Sequence, residues 1–446
     1  MISRVEWYRV VLDEAHTIRN VSTRQFRAIN SIPAHIRWCL TGTPIQNSLE
    51  DLGALVKFLR VPLLDDITTF RKYVITPIMN NGRFVNLRRL LGLICLRRTK
   101  TLLQLPDPVT HSEMLELSLA ESEIYNDFGE SCRRAIDSAV SGHSLKKANN
   151  HIIQMVLGMR LFCNDGARAF TGKWRPQGLP SDPEEALSYL QSCGNAFCRR
   201  CECEVQSMYT VDDRSSGVLT LCQHLICGEC VQAFEADLDS NSVDGRAQCP
   251  ECGMTGARDA MVVDPSQRSD MLSGNVYPTK LLALRENVCC QDASEKSVVF
   301  SFWKKTLDLV AELFQQIRFP FLRIHGSIPS SQRSKILTEF EQSTSARVLL
   351  ITFGTGGVGI NKLMVANHIH ILEPQWNPSV ESQAIGRILR FGQERNVKIL
   401  RYIMKNTVEG AVQSQQLRKL QLARGGFGVT KDEHTSQRIQ EIMSDK

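Results

Sequence analysis

The sequence predicts an α/β protein of doubly wound parallel sheet with a small cysteine-rich domain set into it, and three observations carry that expectation. Short β-branched and apolar runs, Val348 to Thr352 and His368 to Leu372 the clearest, each end in turn chemistry, as strands buried on both faces do. Helical patterns separate such runs, so strand and helix alternate as a doubly wound sheet requires. Between Cys198 and Cys252 eight soft ligands fall in four close pairs, a spacing that suits metal.

Bulk properties set wide bounds. A chain of 446 residues has room for two to four domains with substantial cores. Its net charge of +6 is too mild to argue for nucleic acid by itself. The basic residues do cluster, in Arg387, Arg390, Arg395, Lys398, Arg401 and Lys405 and again in Arg88, Arg89, Arg97, Arg98 and Lys100. Such clusters suit a phosphate backbone, and equally a solvated surface. No apolar run approaches the roughly 20 residues that cross a bilayer, and the start carries no secretory pattern. A reducing, intracellular compartment is therefore expected, where 15 cysteines point to metal rather than disulfides.

Taken in order, Val5 to Leu12 reads as a strand that ends in Asp13-Glu14-Ala15-His16. Two adjacent carboxylates at the carboxyl end of a strand stand where an open α/β sheet places ligand chemistry. A second short strand precedes Thr41, Gly42 and Thr43 in the run Arg37 to Asn47. Leu49 to Leu105 is mainly helical in pattern, and Leu115 to Phe162 continues as amphipathic helix. Asn164 to Pro183 turns polar and rich in Gly and Pro, the composition of a linker. Past the cysteines, Gly253 to Gly274 is again linker-like, and Pro278 to Arg285 opens a new domain. Lys296 to Lys304 and Phe321 to Gly326 read as strands and Ser330 to Phe340 as a helix. Between Val348–Thr352 and His368–Leu372 lies FGTGGVGIN, whose glycines let backbone approach a ligand closely. WNPS follows, then a helix over Val380 to Leu389 carrying Gln383, Arg387 and Arg390. A spacing of three residues puts both guanidiniums on one helix face, an arrangement that suits a polyphosphate. After Val408 the tail is polar, and a brace helix followed by disorder is expected there. No internal repeat is found.

In this order the acidic DEAH box, WCLTGTPIQN, the Gly-rich turn, WNP and the paired arginines resemble the motifs of the Swi/Snf-type helicase-like ATPases. These superfamily-two motors translocate on double-stranded DNA without separating its strands. The resemblance implies two RecA-like lobes with ATP and magnesium between them. Asp13 would hold magnesium through water, Glu14 would polarise the attacking water, and Arg387 and Arg390 would be the arginine fingers. Gln383 would help close the cleft, Gly356, Gly357 and Gly359 would shape the loop beside it, and Thr41, Gly42 and Thr43 would couple nucleotide to DNA. Arg97, Arg98 and Lys100 match an LRRTK of relatives; Leu389 stands where the family often has histidine. The G-x-x-x-x-G-K-[ST] loop that cradles phosphates in such motors does not occur in the sequence, so ATP turnover by this chain alone is not expected. The implied domains are a truncated first lobe over 1–108, a helical protrusion and linker over 109–192, the cysteine-rich module over 193–256, a linker over 257–277, the second lobe over 278–415, and a brace helix and tail over 416–446.

The module's order of three Cys, one His and four Cys resembles a RING finger, whose ligands interleave around two zinc ions. Cys198, Cys201, Cys227 and Cys230 would hold one zinc, and Cys222, His224, Cys249 and Cys252 the other; Cys193 and Cys203 are left over. Ligase-competent relatives carry an aliphatic residue before the second Cys and a basic one after the last, where this chain has Arg200 and Gly253. A RING set between the lobes is similar to the branch of the family linked to DNA damage tolerance, which implies a nuclear DNA-dependent ATPase or chromatin remodeller. The alternative is a ubiquitin ligase or adaptor, working with a ubiquitin-conjugating enzyme, whose motor is a non-catalytic DNA or chromatin scaffold.

Overall fold

The computed structural model describes residues 4–45, 48–98, 105–141, 145–170, 183, 186–187, 190, 196–203, 205, 217–243, 245–257, 277–325, 328–355 and 361–427. The chain divides into two compact units, one of Met1–Leu102, Asn377–Ser379 and Gln415–Lys446, the other of Leu103–Trp376 and Val380–Ser414.

In the first unit, strands β1 (Trp7–Leu12) and β2 (Ala34–Cys39) pair in parallel, Trp7 opposite Ala34 and Leu12 opposite Cys39. Helix α1 (Arg24–Asn30) connects them, started by Thr23, whose hydroxyl accepts from the Phe26 amide at 3.1 Å. That bond satisfies one of the amides a helix leaves unpaired at its start. Helix α2 (Leu49–Phe58) opens on a Ser48–Asp51 capping box, and its apolar residues serve two cores. Ala54, Leu55 and Phe58 pack with Ala15, Ile18 and Phe26 beneath the strands. Leu49, Leu52 and Val56 pack against Phe70, Val74, Ile78, Leu87, Leu90 and Leu91, which come from α3 (Ile67–Phe70), a π-helical turn over Arg71–Ile75, α4 (Thr76–Asn81) and α5 (Val85–Ile94).

The second unit begins with β3 (Val109–Leu115), then α6 (Leu119–Ser141) and α7 (Leu145–Asp165). The cysteine-rich module follows, with β4 (Val218–Leu219), β5 (Leu225–Ile226), α8 (Gly228–Ser240), β6 (Ser242–Val243), β7 (Arg246–Gln248) and β8 (Thr255–Ala257). Then come α9 (Thr279–Cys289), β9 (Ser297–Ser301), α10 (Lys304–Gln316), β10 (Phe321–Ile324), α11 (Ser330–Gln342), β11 (Val348–Thr352) and β12 (His368–Ile371). The chain continues through α12 (Pro378–Ile388), β13 (Lys398–Met404) and α13 (Val408–Phe427).

Six strands form one parallel sheet in the order β10-β11-β9-β12-β13-β3. Every residue of β9, β11 and β12 is buried, as central parallel strands with helices on both faces must be. On one face Val298, Phe300, Leu349, Ile351, Ile369 and Ile371 form a core with Phe340 and Ile388. On the other, Val299, Val348 and Leu350 meet Leu281, Leu307, Val310 and Phe314 of α9 and α10. Each such side chain contributes on the order of 1.5–3 kcal/mol by leaving water. Two features differ from the pattern read in the sequence. Val109–Leu115, which fell within the stretch assigned to a helical protrusion, is an edge strand paired residue for residue with β13 from Val109–Lys398 to Leu115–Met404. Its mostly polar sequence VTHSEML fits an edge strand with a single neighbour. The arginine-bearing helix stops at Ile388, before Arg390.

Candidate functional site

The carboxylates Asp13 and Glu14 stand exposed just past the end of β1. Asp13 Oδ1 accepts from the Glu14 amide at 2.9 Å. Glu14 adopts a left-handed backbone, φ 47 and ψ 46, a region that costs a non-glycine residue on the order of 1–3 kcal/mol and clusters at functional sites. The turn is held from below, where the Ala15 amide donates to the Leu40 carbonyl at 2.9 Å and the Leu40 amide to the Leu12 carbonyl at 2.8 Å. Buried His16 links the two strand ends. Its Nδ1 lies 3.2 Å from Glu14 Oε2 and 3.5 Å from Thr41 Oγ1. Burial lowers the His16 pKa, the Glu14 carboxylate opposes that shift and Arg19 adds to it, so the imidazole is neutral near pH 7 and Nδ1–H faces both partners. Thr41 Oγ1 in turn accepts from the Thr43 amide at 3.1 Å, while Gly42 is exposed with open space around its Cα. The acidic box and the Thr-Gly-Thr turn are thus one hydrogen-bonded cluster. The DEAH spelling names His16, but adjacency in sequence gives no sign that it reaches across to Thr41.

In the second unit Gln383 is exposed on α12 and Arg387 is half-buried in its last turn. Arg390 is exposed beyond the helix, its amide donating to the Ile388 carbonyl at 3.1 Å. Arg390 therefore lies past the helix on which the spacing alone placed both arginines. Just beyond the end of the helix stands buried Gln393. Its Nε2 donates to the carbonyls of Met364 at 2.8 Å, Ala366 at 3.0 Å and Ile388 at 3.4 Å. Gly392, at φ 98, makes the left-handed turn that brings Gln393 there. Nothing in a lone glutamine marks this role; the preceding glycine is the signal that could have found it. At the start of the Gly-rich loop, Thr352 and Thr355 hydroxyls bond at 2.6 Å. Gly356, Gly357 and Gly359 lie outside the described residues, as does Lys100.

The cysteine-rich module gathers two sets of ligand atoms, Cys198, Cys201, Cys227 and Cys230 in one, Cys222, His224, Cys249 and Cys252 in the other, each set within 4.8 Å. This is the interleaved division that the RING resemblance implies. Zinc fits these residues on two observations. Nε2 of His224 is buried with no hydrogen-bond partner, a state that metal ligation relieves. In the all-cysteine set, the hydrogen bond from Cys227 holds the Cys198 thiol below its usual range, and the same bond pushes Cys227 upward. Without a cation four adjacent sulfurs cannot all ionise, whereas zinc takes all four as thiolates. Cys203 stays outside both sets, its carbonyl accepting from the Cys198 amide at 2.8 Å; Cys193 lies outside the described residues. Arg200 reaches from the first ligand loop to Glu251 in the last at 2.7 Å, pairs with Asp237 of α8, and lies over the Phe234 ring at 5.4 Å. Gly253, φ 74, makes the left-handed turn after the final ligand, which accounts for glycine where relatives carry a basic side chain.

Residues 1–167 match the SNF2-related domain and residues 279–392 the helicase conserved C-terminal domain. The chain is 32% identical over 481 residues to the DNA repair protein RAD5A of Arabidopsis thaliana, covering 99% of this chain and 45% of that one. It is 29% identical to the helicase-like transcription factor of Mus musculus, covering 96% and 44%. It thus spans less than half the length of these curated relatives. The Sulfolobus solfataricus SWI2/SNF2 ATPase core in complex with dsDNA is 20% identical with a TM-score of 0.40, covering 96% of this chain and 71% of that one, a likeness too loose to support an argument.

Proposed function

The chain belongs to the Swi/Snf-type helicase-like proteins, and from that premise we propose that it is part of a nuclear, ATP-dependent translocase on double-stranded DNA that serves DNA repair or chromatin remodelling. The observation that carries this reading is the cluster at the ends of β1 and β2, where a strained Glu14, Asp13, His16 and Thr41 meet. Exposed adjacent carboxylates at strand ends fit a magnesium–nucleotide ligand. Asp13 would hold the ion through water, and the bound metal and ATP supply the phosphoryl group and its charge neutralisation. Glu14 orients the attacking water, His16 fixes the Glu14 carboxylate, and Thr41 to Thr43 sense the occupant. By the family resemblance Arg387 and Arg390 would stabilise the charge that spreads over a transferring phosphate, and Gln383, Gly356, Gly357 and Gly359 would contribute to nucleotide binding. The relatives named as DNA repair proteins support the nucleic-acid partner.

A phosphate-release assay on this chain with and without duplex DNA tests the proposal. With no phosphate-cradling loop in the sequence, little turnover is expected from the chain alone; DNA-stimulated turnover that falls about 100-fold in Glu14→Gln, and comparably in Arg387→Ala, would select the motor reading. A second reading has its own support in the absence from the sequence of any G-x-x-x-x-G-K-[ST] stretch. In it the motor part holds DNA or chromatin without turnover, and the zinc module acts as a ubiquitin ligase or adaptor. Duplex binding without turnover, together with autoubiquitination lost in Cys227→Ser, would select it.

A further inference from the structure

Helix α7 enters the interior of its unit through polar side chains that a hydrophobic core does not need. Arg160, Asn164 and Asp165 are 2%, 0% and 5% exposed, and groups of this kind are costly to bury unless each is partnered. Arg160 Nη2 donates to the Pro374 carbonyl at 2.9 Å, and its guanidinium lies 4.9 Å from the Trp303 ring and 5.2 Å from the Trp376 ring. Asn164 Nδ2 donates to Glu373 Oε2 at 3.0 Å, while its Oδ1 accepts from buried Lys280 at 2.9 Å. Asp165 accepts from the Thr306 hydroxyl at 2.7 Å. Fully buried Glu373 also accepts from the Phe302 amide at 2.5 Å, Ser301 Oγ at 3.1 Å and Gln375 Nε2 at 3.0 Å.

Most of these bonds converge on residues 373–376. The Glu373 carboxylate, the Pro374 carbonyl and the Trp376 ring are each met by α7. One more link leads outward. The Gln375 amide donates to Glu381 Oε1 at 2.9 Å, and Glu381 Oε2 accepts from Arg401 Nε at 3.0 Å. Glu381 lies in the first turn of α12, and a short helix is stiff, so fixing its first turn fixes the direction of every later side chain.

We propose that Arg160 and Asn164 are positioning residues for the arginine-bearing helix, acting through residues 373–376 and Glu381. The functional meaning rests on the phosphate role given to Arg387; the mechanical coupling does not. Hydrogen exchange measured by mass spectrometry on the full chain tests the coupling. Arg160→Met keeps the side-chain stem between the two tryptophans and removes the charge and the bond to Pro374. It is expected to raise exchange about tenfold over residues 384–390 with β9 and β11 unchanged. Arg160→Lys, which retains charge and a donor, should restore most of the protection and guards against a folding failure. Because Glu381→Ala removes the acceptor of the Gln375 amide and so breaks the same chain of contacts further along, the double variant Arg160→Met with Glu381→Ala should exchange no faster over 384–390 than the faster single variant. Wild-type protection of 384–390 in Arg160→Met, or additive effects, overturns the proposal. Where turnover is measurable, Arg160→Met should lower kcat with KM unchanged. Turnover that survives Arg387→Ala would overturn the phosphate role instead, and leave the exchange result to decide the coupling.

Discussion

His370 shows how one residue makes a whole sheet sensitive to acid. It is fully buried on β12, with Nε2 3.0 Å from Gln291 Nε2 and Nδ1 2.8 Å from the Tyr402 hydroxyl. The Gln291 amide can only donate, so Nε2 accepts and Nδ1–H donates to Tyr402. The same amide nitrogen lies 3.0 Å from His368 Nδ1, leaving His368 Nε2–H to face Glu295 at 3.1 Å. Every proton in this row has one place to go, and an extra one has none. Burial, with His368 as a lesser cause, lowers the His370 pKa to about 3. Because the folded value lies below the unfolded one, the stabilisation is complete above about pH 6.5 and is lost progressively as pH falls toward 3. Between pH 7.5 and 5 this single group should remove about 2 kcal/mol. Denaturant unfolding of the second unit should therefore lose less stability over that interval in His370→Gln than in wild type, whatever the variant's stability at pH 7.5. Equal losses in the two proteins would refute this account.

At the scale of elements, the cysteine-rich module is the part whose stability is expected to come from metal, which its two four-residue ligand sets fit. Its strands are two or three residues long, and its core mixes side chains such as Leu187, Val205, Val218, Leu219, Leu225, Ile226, Phe234 and Leu238 with the metal-ligand cysteines themselves. A small core that includes cysteine ligands is expected to depend on metal for much of its stability. Chelation should raise exchange across 218–257 while the six-stranded sheet stays protected, and a metallochromic dye should count two zinc ions released per chain. Since Arg200 ties the first ligand loop to the last through Glu251, Arg200→Ala should speed release from both sets; faster release from one alone would show that the loops act separately. The two four-residue clusters were legible in the sequence because metal coordination demands fixed residue types at short spacing. The buried strands at Val348–Thr352 and His368–Ile371 were legible because burial on both faces demands continuous apolar runs. Edge strand β3 was hidden, since it depends on a partner nearly 300 residues away at Lys398–Met404, and so was the stop at Ile388, since no breaker residue appears in the sequence between Ile388 and Gly392. Asp13, Glu14 and Thr41 could be named from their motifs, but the His16 contact that joins them required coordinates.

At the scale of the molecule, the two sheets obey the same rule to different degrees. In the second unit parallel strands are covered on both faces. In the first, among the described residues, β1 pairs only with β2, and one face carries Trp7, Val11 and Trp38 at 40%, 47% and 49% exposure. The opposite face is covered toward its carboxyl end, where Val10 and Leu12 pack on the core of Phe26 and Phe58. The Arg9 guanidinium lies 4.6 Å from the Trp38 ring and shields part of that surface, but a cation over one indole leaves most of the apolar area in water. Parallel strands with an apolar face exposed to water are adhesive toward other apolar surfaces. The purified chain should therefore self-associate as its concentration rises, through this face. Val11→Lys with Trp38→Lys places charge on both strands of the face and leaves Val10 and Leu12 in the core. Light scattering across a concentration series should show a lower apparent mass for the double variant, more so at low salt, where the added charges repel most strongly. If the two proteins scatter alike at every concentration, the open sheet face is not what brings the chains together.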